Sequence, residues 1–175
     1  MADFAVMRCN MVDGQILPNR VTDPRLIDAL ATLPRELFVS ERHRSIAYVD
    51  EEVEILPNRY LMEPRVFARL AQALAPRPQE VALYVGCGTG YGAAVLAQLC
   101  GAVIALESET ALVERAAALF LELEIDNAVV VEGPLDEGYA KQGPYDLIDL
   151  RIQIDNLRRY THKFLHYLHN SYKYD

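Results

Sequence analysis

No stretch of the 175 residues is an apolar run of the ~18 residues that a membrane-spanning helix needs, so no membrane association is expected. The amino-terminal MADFAVMRCNMVDGQ lacks the basic start and long apolar segment of a secretion signal. Cysteine is scarce. Cys9, Cys87 and Cys100 are an odd number at wide spacing, which excludes a disulfide framework and a cysteine-built zinc site. Three such thiols suit a reducing compartment, and a cytoplasmic location is expected. Positive charge is also short. The net charge is −8, and residues 1–148 hold 12 Lys and Arg against 22 Asp and Glu. So acidic a body repels a phosphate backbone, and no nucleic-acid partner is expected. Internal repeats and low-complexity tracts are missing as well.

What is present is a globular chain with 51% hydrophobic residues, one domain by length. Thr22-Asp23-Pro24 is a helix start, with a capping residue before proline, and the helix it opens carries Leu26, Ile27, Leu30 and Leu33 up to Pro34. A short helix is expected at Pro34-Arg35-Glu36-Leu37-Phe38 and a short strand at Val53–Leu56. Another helix follows Glu63-Pro64, with Val66, Phe67, Leu70, Ala71 and Leu74 on its buried face. From residue 80 the rhythm changes. Strands are predicted at Val81–Val85, Val103–Leu106, Ala128–Val131 and Tyr145–Ile148, with helices at Ala93–Leu99 and about Glu109–Leu123. Alternating strand and helix predicts an α/β fold with a parallel sheet and helices on both faces. The organisation expected is a domain over 1–148, made of a helical lid part (1–78) and a cofactor-binding part (79–148), followed by a divergent helical tail over 149–175. That tail holds 5 Lys and Arg against 3 Asp and Glu, and its Leu157, Tyr160, Phe164 and Leu168 fall at helical spacing.

Chemistry concentrates at Gly86-Cys87-Gly88-Thr89-Gly90, where a strand runs through a glycine-rich turn into a helix. Glycines there allow the turn and let a ligand approach the backbone closely. Glu107 ends the next strand, at the sheet edge where open α/β sheets bind ligands, and its carboxylate can accept both hydroxyls of a ribose. Strand, loop, helix, strand and acid in register point to a nucleoside-containing ligand. They do not choose it, because Gly88-Thr89-Gly90-Tyr91-Gly92-Ala93 also fits the G-x-G-x-x-A pattern of dinucleotide sites, which keeps NAD in contention.

Further motifs precede the loop in order: Met11-Val12 with Gln15-Ile16, Val21-Thr22-Asp23-Pro24-Arg25, Pro34-Arg35-Glu36-Leu37-Phe38-Val39 and Ala47-Tyr48-Val49-Asp50. With the loop and Ala93-Ala94-Val95-Leu96-Ala97, they give a sequence that over residues 8 to 148 resembles the protein-L-isoaspartate O-methyltransferase family. The resemblance implies a Rossmann-like class I methyltransferase fold, S-adenosylmethionine as cofactor, and a protein or peptide carboxylate as acceptor. It implies ribose binding by Glu107 and methionine-side contacts from the loop backbone at Gly86, Cys87, Gly88 and Gly90, with Tyr91, Ser108, Gly133, Pro134 and Leu135 as further cofactor-binding residues. The acceptor side falls on Arg59, Tyr60, Leu61 and Met62, within a lid over Asn58–Met62, with Arg59 available to an acceptor carboxylate.

Several positions depart from the family pattern. Arg59-Tyr60-Leu61-Met62 stands where the family has Gln-Thr-x-Ser, and is similar to a bacterial branch carrying Tyr-Leu-Met-Glu-Pro here. Gly133-Pro134 replaces a Gly-Asp, with Asp136 two residues on, and Tyr84 replaces an acid and is read as sheet packing. After residue 148 the family's remaining strands are not recognisable, so a member truncated or frame-altered there is expected, with its C-terminal strands replaced by a helix. The edge strand then needs cover, from the tail helix or from a second subunit in a homodimer. His162, His166 and His169 lie near one helical face but are read as a solvated stripe, so no metal is assigned. Arg158, Arg159 and Lys163 are likewise read as a solvated face, and Cys87 as a space-filler beside the cofactor rather than a reactive thiol. No catalytic dyad or triad is visible. Methyl transfer to a carboxylate needs none, because alignment and exclusion of water carry it. A non-catalytic binding protein and an NAD-dependent oxidoreductase are the alternatives.

Overall fold

The structure, a computed structural model, describes residues 3–150. Helix α1 (Phe4–Met11) starts at Asp3, whose carboxylate accepts from the Val6 amide, and runs on through a π turn at Val12–Ile16. Helix α2 (Pro24–Thr32) begins as the capping signal predicts, with the Asp23 side chain accepting from the Arg25 amide at 3.0 Å. The Pro34–Phe38 segment forms a 3-10 turn over Arg35–Phe38, and a second such turn covers Glu41–Ile46. Strands β1 (Val53–Leu56) and β2 (Arg59–Leu61) form an antiparallel hairpin that turns at Asn58, with a bulge between Glu54 and Leu56. Helix α3 (Pro64–Leu74) buries Phe67, Ala68 and Ala71 but leaves Leu70 45% exposed. The expected burial of Leu70 is therefore corrected. The buried stripe is centred on the two alanines, and Leu70 lies off its edge.

The second part is strand β3 (Val81–Val85), helix α4 (Tyr91–Ala97), strand β4 (Ala102–Glu107), helix α5 (Thr110–Glu122), strand β5 (Ala128–Glu132) and strand β6 (Leu147–Leu150). All four strands are parallel, in the order β5-β4-β3-β6, and Val85 lies beside both Leu106 and Leu150. Their carboxyl ends thus line up on one edge. β6 starts two residues later than expected. Tyr145 is buried under the sheet, while the Asp146 carboxylate accepts from the Val81 amide (2.9 Å) and its own amide donates to the Val81 carbonyl. These two residues anchor the strand rather than belong to it. Being on β6, Asp149 and Leu150 carry the sheet across the change in composition at 149.

The central strands are apolar throughout because both their faces are covered. Ala82, Tyr84, Val103 and Ala105 join a core with Phe67, Ala94, Leu96, Leu119 and Phe120, and this same core takes in Met11, Ile16, Leu26, Leu30 and Phe38 from the first 78 residues. The opposite face, with Leu83, Val85, Ile104 and Leu106, carries Leu135, Tyr139 and Tyr145 of the loop before β6. Among the described residues no helix is long and apolar enough to cross a membrane. Beyond Leu150, the segment expected to form an amphipathic tail helix, with its histidine and arginine stripes, lies outside the described residues.

Candidate functional site

The chain leaves β3 at Val85 and turns through the glycine loop into α4. The amides of Gly86 and Cys87 both donate to the Leu106 carbonyl, at 2.9 and 3.1 Å, tying the turn to the end of β4. Gly86, Gly88 and Gly90 have φ of 76°, 58° and 95°, the left-handed region that side chains with a Cβ avoid. Gly88 meets a second constraint, because a Cβ there would lie 2.8 Å from the Ile55 Cδ1 of the hairpin. The hairpin thus lies directly over the loop.

Glu107, the last residue of β4, points its carboxylate into this turn, with its side chain 0% exposed. Its Oε2 accepts from the Gly88 amide at 2.7 Å, and its Oε1 from the amides of Ser108 (2.8 Å) and Glu109 (3.2 Å). Arg59 of β2 completes the set as a fork on the carboxylate: Nη1 donates to Oε1 at 2.8 Å and Nη2 to Oε2 at 2.5 Å. A buried carboxylate is costly unless paired and hydrogen-bonded, and this one is both. Burial works against the Arg59 charge, but its hydrogen bonds to Glu107 and that carboxylate's charge outweigh burial and hold its pKa above the ordinary value. Burial, reinforced by the negative charge of Glu107, pushes the Cys87 thiol far above its usual range. Cys87 is therefore a protonated, space-filling group and not a nucleophile.

Behind the loop the support is apolar, with one buried cation. Tyr91 is 1% exposed and packs against the rings of Phe38 (5.3 Å, edge-on) and Phe67 (5.8 Å). Its side chain faces the core, which leaves only its backbone to the loop. The Arg35 guanidinium lies 4.8 Å over the Tyr91 ring and donates to the carbonyls of Ala47 and Met62, at 2.6 Å each. Thr89 donates to the Phe38 carbonyl at 2.6 Å. The 3-10 turn at Arg35–Phe38 is thus fastened to the glycine loop, to the segment before the hairpin and to the start of α3.

The expected site residues are distributed unevenly. Gly133 lies beside β4, its amide donating to the Glu107 carbonyl at 3.0 Å; Pro134 is exposed, and Leu135 is buried under the sheet. Ser108 is exposed, with its hydroxyl 3.4 Å from Glu107 Oε1. Of the four acceptor-side residues, Arg59 reaches into the loop, Tyr60 is 40% exposed, Leu61 is buried, and Met62 packs partly on the core. That alternation is the pleat of β2. Three roles escaped the sequence: the Arg59–Glu107 pair, the Ile55 cover over Gly88, and Arg35 as a buried tether. The turn residues Pro57-Asn58 beside the predicted strand were the one signal that Arg59 opens a second strand folding back on the first.

Residues 9–159 match the family model of protein-L-isoaspartate(D-aspartate) O-methyltransferase (PCMT). The chain belongs to this family. Protein-L-isoaspartate O-methyltransferase 1 of Rhodopseudomonas palustris (strain HaA2) is 39% identical over 145 residues, covering 83% of this chain and 59% of its own. Protein-L-isoaspartate O-methyltransferase 2 of Anaeromyxobacter sp. (strain Fw109-5) is 40% identical over 150 residues, covering 86% of this chain and 62% of its own. The chain thus spans about three fifths of the length of these two relatives. A solved protein-L-isoaspartate O-methyltransferase superposes with a TM-score of 0.75 at 24% identity, over 85% of this chain and 49% of that one. A SAM-dependent O-methyltransferase from Thermotoga maritima superposes at 0.51 and 20% identity, over 59% of this chain and 39% of that one. Both likenesses concern the fold, which is the Rossmann-like α/β fold of class I methyltransferases.

Proposed function

We propose that this family member is an S-adenosylmethionine-dependent methyltransferase acting on a carboxylate of a protein or peptide, of isoaspartyl type. The observation that carries the reading is the Glu107 carboxylate, held inside the glycine loop by the Gly88 amide at the carboxyl edge of the sheet. The donor set fits the cofactor. Glu107 would take the ribose hydroxyls, the backbone of Gly86, Cys87, Gly88 and Gly90 the methionine end, and Gly133, Pro134 and Leu135 the base. When bound, the cofactor supplies an electrophilic methyl group on a sulfonium. The chain's own residues then have to align the acceptor and exclude water, a task for the hairpin with Arg59, Tyr60, Leu61 and Met62. No group near the loop has to act as a base, because the acceptor is already ionised, and a protonated Cys87 agrees with this. Protein repair in the cytoplasm follows from the same reading, and three free thiols at Cys9, Cys87 and Cys100 support it.

The alternative is a non-catalytic homologue acting as a binding or interaction protein, and the observation it would use is that Arg59 holds the carboxylate meant for the ribose. An NAD-dependent oxidoreductase is disfavoured, because residues before the loop share its core and fasten it in place. Titration calorimetry with S-adenosylmethionine, S-adenosylhomocysteine and NAD tests these readings, followed by methyl transfer to an isoaspartyl peptide. Heat with both sulfur ligands and none with NAD is expected. Heat with NAD alone, or with no ligand even after Arg59 is removed from Glu107, overturns the proposal; binding without transfer leaves the second reading.

A further inference from the structure

A carboxylate offers about four lone-pair sites. The Glu107 carboxylate already receives six donors: two from Arg59, one each from the amides of Gly88, Ser108 and Glu109, and a long one from the Ser108 hydroxyl. No site remains for two ribose hydroxyls. The three amides and the Ser108 hydroxyl belong to the loop and to the end of β4, whereas Arg59 is the donor that reaches in on a long side chain from another element. That side chain is 24% exposed and hangs from a two-stranded hairpin outside the main sheet. A second contact from this hairpin points the same way: Ile55 covers Gly88, the glycine whose lack of a side chain lets a ligand approach the loop.

We infer that Arg59 is an internal competitor for the nucleoside site, and that the turn of the β1–β2 hairpin, from Ile55 to Arg59, is a strap that must lift from its base at Val53 and Leu61 before a ribose can reach Glu107. This rests on the proposed cofactor reading. The ribose hydroxyls and the guanidinium contend for the same carboxylate, so the Arg59–Glu107 bonds are subtracted from the affinity for any adenosyl ligand. An ionic fork of this kind is worth at least about a factor of ten in binding. Arg59 thereby sets how readily the cofactor is admitted, a role distinct from contacting the acceptor.

The test is calorimetric titration of S-adenosylhomocysteine into the wild-type chain, Arg59→Gln and Arg59→Lys, with thermal melting of each to verify folding. Arg59→Gln is expected to bind about tenfold tighter or better, and Arg59→Lys, which keeps the charge but gives up the fork, to fall between. Equal or weaker binding by folded Arg59→Gln overturns the inference while leaving the cofactor reading intact. Absence of binding in all three chains overturns both. Hydrogen exchange on the wild-type chain needs no variant: the amides of Ile55, Leu56, Asn58 and Arg59 should exchange faster when the ligand is bound. Slower exchange there means a strap that closes on the ligand, and overturns the inference.

Discussion

Gly92 shows how a single residue fixes the distance between sheet and helix. A Cβ at this position would lie 2.0 Å from the Tyr84 hydroxyl oxygen and 3.0 Å from Phe67 Cε2. Helix propensity alone would make Gly92→Ala stabilising by about 1 kcal/mol. Overpacking a filled site costs about 1–3 kcal/mol, and here the obstacle is a buried ring wedged between β3 and α4. Steric cost wins, and Gly92→Ala is expected to lower the urea midpoint; an unchanged or higher midpoint would show that Tyr84 yields freely. The sequence reading of Tyr84 as sheet packing describes its surroundings correctly, since it is 5% exposed. Its partner was not legible, because nothing in the spacing says which face of β3 meets α4. Arg59 is the harder case. It was legible as a cation near the site, but its partner lies 48 positions away on another strand, and only the folded hairpin brings the two together.

Within the elements, local sequence signals suffice where one residue decides the outcome. Asp23 before Pro24 starts α2, and its carboxylate accepts from the Arg25 amide and guanidinium. Asp23→Ala is expected to cost about 1 kcal/mol, measured by chemical denaturation at neutral pH. The hydrogen bond from the Arg25 side chain, helped by the Arg25 amide and charge and only partly opposed by burial, holds the Asp23 carboxyl below its ordinary pKa. A depressed carboxyl contributes stability above its unfolded pKa and loses it as the pH falls through the folded one. The gap between wild type and Asp23→Ala should therefore narrow below about pH 4, and a gap constant down to pH 2 would show that the carboxylate is not what caps α2. Structure departs from sequence pattern where packing decides. Leu70 has the right helical spacing, yet α3 turns its alanines inward; Tyr145-Asp146 looks like strand, yet one side chain fills the underside of the sheet and the other bonds Val81. Periodicity reports that a face exists, whereas its centre and ends are set by neighbours it does not encode.

For the molecule as a whole, the question is whether the segment before residue 79 is a lid that moves by itself or part of the body. The packing favours the body. Met11, Ile16, Leu26, Leu30 and Phe38 belong to the same core as Tyr91, Leu96, Leu99 and Phe120, and Arg35 and Thr89 add polar ties across the boundary. Val53 and Leu61 anchor the base of the β1–β2 hairpin in this core, so motion is left to its turn, from Ile55 to Arg59. A shared core predicts one cooperative transition. The chain has no tryptophan, so tyrosine emission can be followed without interference, and Tyr84 and Tyr91 lie where the two parts meet. Tyrosine emission and far-ultraviolet circular dichroism should give coincident urea transitions. Phe38→Ala, which empties a fully buried aromatic site in the first part, is expected to cost about 3–5 kcal/mol and to move both transitions together. If the part before residue 79 instead folded as a unit of its own, Phe38→Ala would split the two curves, with the sheet melting at the wild-type midpoint. Such a split would reassign the cover over Gly88 from the hairpin to the whole amino-terminal half.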